Sequence, residues 1–131
     1  ELFPEGVSSH GERYFLQNEA QAMIVSPMLE LLFEQVRRAA FADCPSRFQS
    51  MFALETLTEA CSCQSQFGGG AIYKVNADVI FRGNMNLLNA GNSILATSWF
   101  AIQYWKGETG LQDPYWEFLL KCPVKVGERV A

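Results

Sequence analysis

The residues with the most chemical potential in this chain are a few charged side chains set where their solvation is in question. Glu117 interrupts an apolar and aromatic run, Tyr115-Trp116-Glu117-Phe118-Leu119-Leu120, and a carboxylate buried there without a partner would be costly. Either it points to solvent from an edge, or it faces a cleft as a fixed negative charge. Arg13 and Arg47 pose the same question, each beside aromatic sequence: Arg13-Tyr14-Phe15 and Arg47-Phe48. An arginine so placed either snorkels to the surface or offers its planar fork to a carboxylate or pyrophosphate, for which Arg is better suited than Lys.

Other chemistries find no residues. The single histidine, His10, lies in a polar N-terminal arm, and no acidic cluster has ligand spacing, so no metal site is expected. For the same reason there is no Ser-His-Asp or Cys-His machinery. Gly68-Gly69-Gly70 lacks the Lys-Ser/Thr that completes a phosphate-binding loop. Cys44, Cys61, Cys63 and Cys122 have neither zinc spacing nor the density of a disulfide scaffold, and are read as reduced thiols of a cytosolic environment.

The elements that must position these residues follow from periodicity. Arg13-Tyr14-Phe15-Leu16 reads as an early strand. A helix then opens with Ser26 as N-cap and Pro27 at its first position. Its apolar stripe is Leu29, Leu32, Phe33, Val36 and Ala40, with Glu30, Glu34, Arg37 and Arg38 facing water. Period-two alternation from Phe48 to Leu54 predicts a strand. Thr56-Leu57-Thr58-Glu59 is a capping box that starts a short helix, which the triple glycine ends.

Ala71 to Val75 and then Val79, Ile80 and Phe81 read as β, and the Asn-rich stretch 84–92 reads as a loop. A helix from Ser93 to Lys106 has Ile94, Leu95, Trp99, Ile102 and Trp105 as its expected inward residues and Gly107 as its C-terminal cap. Trp99, Tyr104 and Trp105 on it are either core or an aromatic surface for a ligand or partner. Two final β runs, Tyr115 to Lys121 and Val124 to Val130, are separated at Pro123. Lys121, Lys125 and Arg129 are their solvated side.

These elements predict an α+β class, since the strands lie too close together for repeated βαβ crossovers. A chain of 131 residues with 49% hydrophobic and 13% aromatic residues is sized and composed for one domain, 1–131. Its net charge of −4, with no basic block, argues against nucleic acid or a membrane surface as partner. No apolar run reaches the ~18 residues of a membrane-spanning helix. The chain starts at Glu1 rather than Met, which reads as a trimmed N-terminus.

The order of the pieces resembles the ADP-ribosyltransferase superfamily. The residues that carry the likeness are Arg13 on an early strand, Ser46-Arg47-Phe48-Gln49-Ser50-Met51-Phe52 in the middle, and Glu117-Phe118-Leu119-Leu120 on a late strand before a proline. It is closest to an uncharacterised bacterial family and to bacterial effectors that ADP-ribosylate ubiquitin on threonine. The resemblance implies a split β-sheet cleft flanked by helices, with NAD as co-substrate. It implies Glu117 as the catalytic glutamate on the nicotinamide ribose, and Arg13, Tyr14, Arg47, Ser50, Phe52 and Asn86 as cofactor-binding, with Asn84 nearby.

Where arginine-specific relatives carry Glu or Gln two residues before the catalytic glutamate, this chain has Tyr115, so the implied acceptor is a hydroxyl or water rather than arginine. The implied protein is a monomeric mono-ADP-ribosyltransferase, secreted by a bacterium and acting in a host cytosol on a protein such as ubiquitin. The alternatives are an NAD glycohydrolase and a non-catalytic binding domain of the same fold.

Overall fold

A computed structural model describes residues 3–12, 25–110 and 113–131, and the predicted strand at Arg13 to Leu16 lies outside them. The described elements are α1 (Ser9–Gly11), α2 (Val25–Ala40), β1 (Ser50–Ala53), α3 (Leu57–Gln66), β2 (Tyr73–Asn76), β3 (Ile80–Asn84), α4 (Ile94–Trp105), β4 (Trp116–Lys121) and β5 (Lys125–Arg129). A 3-10 turn, Met85–Leu87, follows β3 directly. The class is α+β, with small antiparallel sheets and helices.

The sheets are two. In one, β4 lies between β1 and β3, antiparallel to both; in the other, β2 pairs antiparallel with β5. The β run read through 71–81 therefore divides between the two sheets. Register fixes which side chains share a face: Leu119 on β4 is opposed by Phe52 of β1 on one flank and by Phe81 of β3 on the other, and Gly83 opposes Glu117. Because side chains alternate along a strand, Ser50, Phe52, Leu119, Phe81 and Glu117 lie on one face. That face packs under α2 and α4, whose Phe33, Ala101, Tyr104 and Trp105 form the core with Leu87 and Leu119.

Local sequence rules hold where they act alone. The capping box is present as read: the Thr56 hydroxyl accepts from the Glu59 N–H, and the Glu59 carboxylate accepts from the Thr56 N–H. Ser93 caps α4, and Gly107, with φ of 73°, follows its end. Gly68, Gly69 and Gly70 all have positive φ, as a turn closing α3 requires. Helix α2 includes Ser26, so that residue sits inside the helix rather than at its N-cap. The middle strand begins at Ser50, with Ser46 to Gln49 forming a turn before it.

Two helix faces differ from expectation. On α2, Glu30 and Glu34 are buried and Ala40 is exposed, so the expected water-facing carboxylates point inward. On α4, Ile94 and Leu95 are each 82% exposed, Trp99 and Ile102 are also exposed, and only Trp105 of the expected stripe is buried. The inward stripe is Thr97, Ala101 and Tyr104 with Trp105. Polar anchoring selects this face: the Trp105 indole N–H donates to the Phe33 carbonyl at 2.8 Å, and the Tyr104 hydroxyl reaches the charged groups described below. Losing either bond inside the core would leave a buried polar group unsatisfied.

Gly83 makes this docking possible. A Cβ built there would lie inside the van der Waals envelope of the Tyr104 ring, so the missing side chain is what lets α4 close on β3. Gly83→Ala is expected to destabilise the fold by about 1–3 kcal/mol through overpacking. Urea unfolding and the near-ultraviolet signal of Tyr104 and its neighbours would register the loss of stability and the displaced ring.

Candidate functional site

Between the sheet and its helices lies a line of polar side chains in an otherwise apolar layer. Its centre is Arg47, whose placement comes from the turn before β1. The Ser46 hydroxyl accepts from the Phe48 N–H at 3.1 Å, the Gln49 N–H donates to the Ser46 carbonyl at 3.1 Å, and the Ser50 hydroxyl donates to that same carbonyl at 2.6 Å. The turn aims Arg47 inward between α2 and β4.

Every nitrogen of the guanidinium is engaged. Nε donates to Glu30 Oε2 at 2.8 Å and Nη2 donates to Glu30 Oε1 at 3.0 Å, a bidentate pair. Nη1 donates to the Tyr104 hydroxyl oxygen at 2.8 Å and to Glu117 Oε1. Tyr104 in turn donates to Glu117 Oε1 at 2.6 Å. At the other end His10 Nε2 lies 3.0 Å from Glu30 Oε1, and its ring stacks at a tilt on Phe52 with centroids 4.6 Å apart. The Phe52 ring also lies under the Arg47 guanidinium, 5.0 Å from its centroid.

The electrostatics of the line follow from burial set against pairing. Burial works to raise the Glu30 pKa, but the hydrogen bond with His10 and the charge and hydrogen bonds of Arg47 overcome it and hold the group at about 2. Burial of Arg47 opposes its charge and is outweighed by the Tyr104 oxygen, Glu117 and Glu30, which raise its pKa above the usual range. Burial lifts the Tyr104 phenol well above its ordinary range, with Arg47 pulling it down and Glu117 adding to the rise. Tyr104 therefore stays protonated and donates.

One turn along α2 from Glu30, Glu34 gathers a second set. Its oxygens accept from Arg37 at 3.0 and 2.9 Å, from Arg38 at 2.8 Å and from the Ser46 hydroxyl at 2.9 Å. Burial raises its pKa, and these hydrogen bonds bring it below the ordinary value. Both α2 carboxylates thus hold the same Ser46-Arg47 turn.

The expected site residues are distributed as follows. Glu117 is 4% exposed and central to the line. Its Oε2 takes no hydrogen bond among the described residues, and since no sealed polar side-chain atom there lacks a partner, that oxygen keeps contact with solvent. Arg47 is buried within protein pairs instead of lying open to a phosphate. Phe52 packs on His10 and Arg47. Ser50 opposes Lys121, four residues along β4 from Glu117 and so ~13 Å away.

Asn86 donates from Nδ2 to the Asp113 carbonyl at 2.7 Å, while buried Asn84 ties the 3-10 turn to Thr109 and Tyr115. Arg13 and Tyr14 lie outside the described residues.

Two clefts open nearby. One of about 490 Å3 is lined by Ser46, Ser50, Gln49, Arg37, Lys121 and Cys44, among others. Burial pushes the Cys44 thiol up, away from a reactive thiolate. The other, of about 370 Å3, lies at the 3-10 turn and α4. Neither is lined by Glu117. Among the described residues no group of His, Cys, Asp and Glu could hold a metal, no helix is long and apolar enough to cross a membrane, and all four cysteines are free thiols.

Sequence reasoning missed His10, Glu30 and Tyr104. Glu30 carried a readable signal, since it sits in Met28-Leu29-Glu30-Leu31-Leu32-Phe33 and raises the same solvation question as Glu117. His10 carried none: its partner is twenty residues away along the chain.

Acid should unlock this line. With a folded pKa near 2 against an ordinary 4.5, Glu30 contributes stability that is full above 4.5 and is lost as the pH falls towards 2. Between about pH 6 and about pH 3 the unfolding free energy should fall by ~2 kcal/mol more in the wild type than in Glu30→Gln. Urea titrations of both proteins at the two pH values would measure that difference.

No curated protein matches the chain significantly. The sequence pattern of a family of proteins of unknown function, DUF2441, matches residues 8–131, a span that takes in the whole described line from His10 through Arg47 and Tyr104 to Glu117. The chain belongs to that family.

Proposed function

We propose that this chain is a mono-ADP-ribosyltransferase that cleaves NAD and uses Glu117 to stabilise the ribosyl cation as nicotinamide departs. The observation that carries the reading is the state of Glu117: a buried carboxylate on the central strand of its sheet, fixed at one oxygen by Arg47 and Tyr104, with its other oxygen unpartnered among the described residues. A carboxylate held this way costs no reorganisation when positive charge develops beside it, the general basis of electrostatic catalysis. Its unpartnered oxygen is an acceptor of the kind a ribose hydroxyl requires. Two separate antiparallel sheets are compatible with a split-sheet cleft.

In the reaction the glycosidic C–N bond breaks, nicotinamide leaves with the bonding pair, and the acceptor oxygen forms the new bond to the anomeric carbon while its proton passes to solvent. NAD supplies the ADP-ribosyl group. This chain's own residues hold the charge: Glu30 keeps Arg47 in place, Arg47 and Tyr104 keep Glu117 in place, and Tyr104 retains its proton throughout. Tyr115, two residues before Glu117, is exposed and brings no carboxylate to the acceptor side. A hydroxyl acceptor suits that better than arginine does. A threonine of host ubiquitin, reached after bacterial secretion, is the acceptor that the resemblance suggests.

A second reading, a binding domain without turnover, is favoured by the closure of Glu117 and by its absence from the lining of both clefts. Intact-mass spectrometry of ubiquitin and of a cell lysate, incubated with NAD and this protein, separates the two. Transfer of one ADP-ribose unit is expected, reduced about 100-fold or more in Glu117→Gln, with circular dichroism checking that the near-isosteric variant is folded. NAD binding without consumption would establish the second reading. Transfer undiminished in a folded Glu117→Gln would remove Glu117 from the chemistry.

A further inference from the structure

The 370 Å3 cleft at the 3-10 turn is lined, among the described residues, by uncharged side chains alone. Its volume lies within the range of small-molecule sites, and its lining includes Asn86, Leu88, Asn89, Trp99 and Phe100. From Gly83 to Trp105 the chain carries no Asp, Glu, Lys, Arg or His, in a protein where 18% of residues are charged. None of the described residues that line the cleft carries a charge, so it favours an uncharged ligand group.

The walls supply flat rings and amide edges. Trp99 and Phe100 stand with centroids 5.8 Å apart at 63°, and Trp99 is 45% exposed despite its size. Its indole N–H makes no hydrogen bond among the described residues, and neither does the Asn89 amide; Asn86 uses Nδ2 on Asp113 and leaves Oδ1 open. A core aromatic would be covered and a structural asparagine would be bonded, as Asn84 is at both ends of its amide.

We infer that this cleft binds the uncharged planar base of a nucleoside or nucleotide, stacked on Trp99 and read at its edge by the amides of Asn89 and Asn86. An asparagine amide presents a donor and an acceptor side by side, the complement of the adenine edge, and base stacking on an exposed aromatic is the common way of holding such a ring. Phe100 precedes Tyr104 by one turn of α4, a rise of ~6 Å, so the cleft and the Glu117 line are built on the same helix. The inference stands on the cleft's own residues and does not require Glu117 to be catalytic.

The test is calorimetric titration of the full chain with adenosine, with NAD and with benzoate as a charged aromatic control, run beside the indole N–H resonances of the protein. Saturable adenosine binding that shifts the Trp99 resonance is expected, weakened at least ~5-fold in Trp99→Ala and in Asn89→Leu, with benzoate binding far weaker. Both substitutions are at exposed positions, so the fold survives them. Equal affinity for adenosine and NAD would place only the base in the cleft; tighter NAD binding would join the cleft to the rest of a dinucleotide site, and both outcomes support the inference. No saturable adenosine binding, binding unchanged in Trp99→Ala, or benzoate binding equally well would overturn it. Because Glu117→Gln should bind adenosine normally, failure here and failure of the transfer reading are read separately.

Discussion

A guanidinium buried between two carboxylates in an otherwise apolar layer is the constraint around which this structure is arranged. Removing Arg47, Glu30 and Glu117 from water carries a desolvation cost that is recovered only with near-complete hydrogen bonding. Here that bonding is nearly full: Glu30 binds bidentately, Glu117 and Tyr104 share Nη1, and His10 closes the far end. Each contributor belongs to a different element, α1, α2, the turn before β1, α4 and β4. The line therefore fixes the relative placement of the pieces as much as the apolar core does. Removing one partner would leave a buried charge uncompensated, so the elements are committed to one arrangement.

That commitment explains several local features that would otherwise be puzzling. Gly83 has no side chain because Tyr104 must lie against β3 to reach Glu117. Gly11 is likewise pressed on the Phe48 backbone, where a Cβ would collide, and the Ser8 N–H donates to the Phe48 carbonyl at 2.6 Å. These contacts hold His10 over Phe52 and against Glu30. The second carboxylate of α2, Glu34, restrains the Ser46-Arg47 turn from behind through Ser46 while Arg37 and Arg38 neutralise it. The result is a nearly closed group of buried carboxylates in which, among the described residues, one Glu117 oxygen is left without a partner.

Local chemistry was legible in the sequence because it needs only near neighbours. The Thr56 to Glu59 capping box, the helix starting near Ser93, the Gly107 terminus, the period-two run through Phe52 and the β runs around Pro123 all depend on residues within a few positions. They fix the α+β class. Glu117 was legible as a question, since a carboxylate in an apolar strand must find a partner or reach water. The partner itself was not, because Arg47 is seventy residues away.

What the sequence determined by itself, then, is the three longer helices and the strands from β1 onward, their order, and the few charges whose burial would demand an answer; the short α1 and the 3-10 turn lie in stretches that read as a polar arm and a loop. Tertiary structure alone decided which faces turn inward. On α4 the more hydrophobic stripe of Ile94, Leu95, Trp99 and Ile102 is left outside, while Thr97, Ala101 and Tyr104 go in. On α2 two glutamates that helical periodicity assigns to water are buried. Both reversals have one cause. Transfer of apolar surface is non-directional and can be met by several orientations, whereas a buried guanidinium, phenol and carboxylate accept only the orientation that satisfies them all.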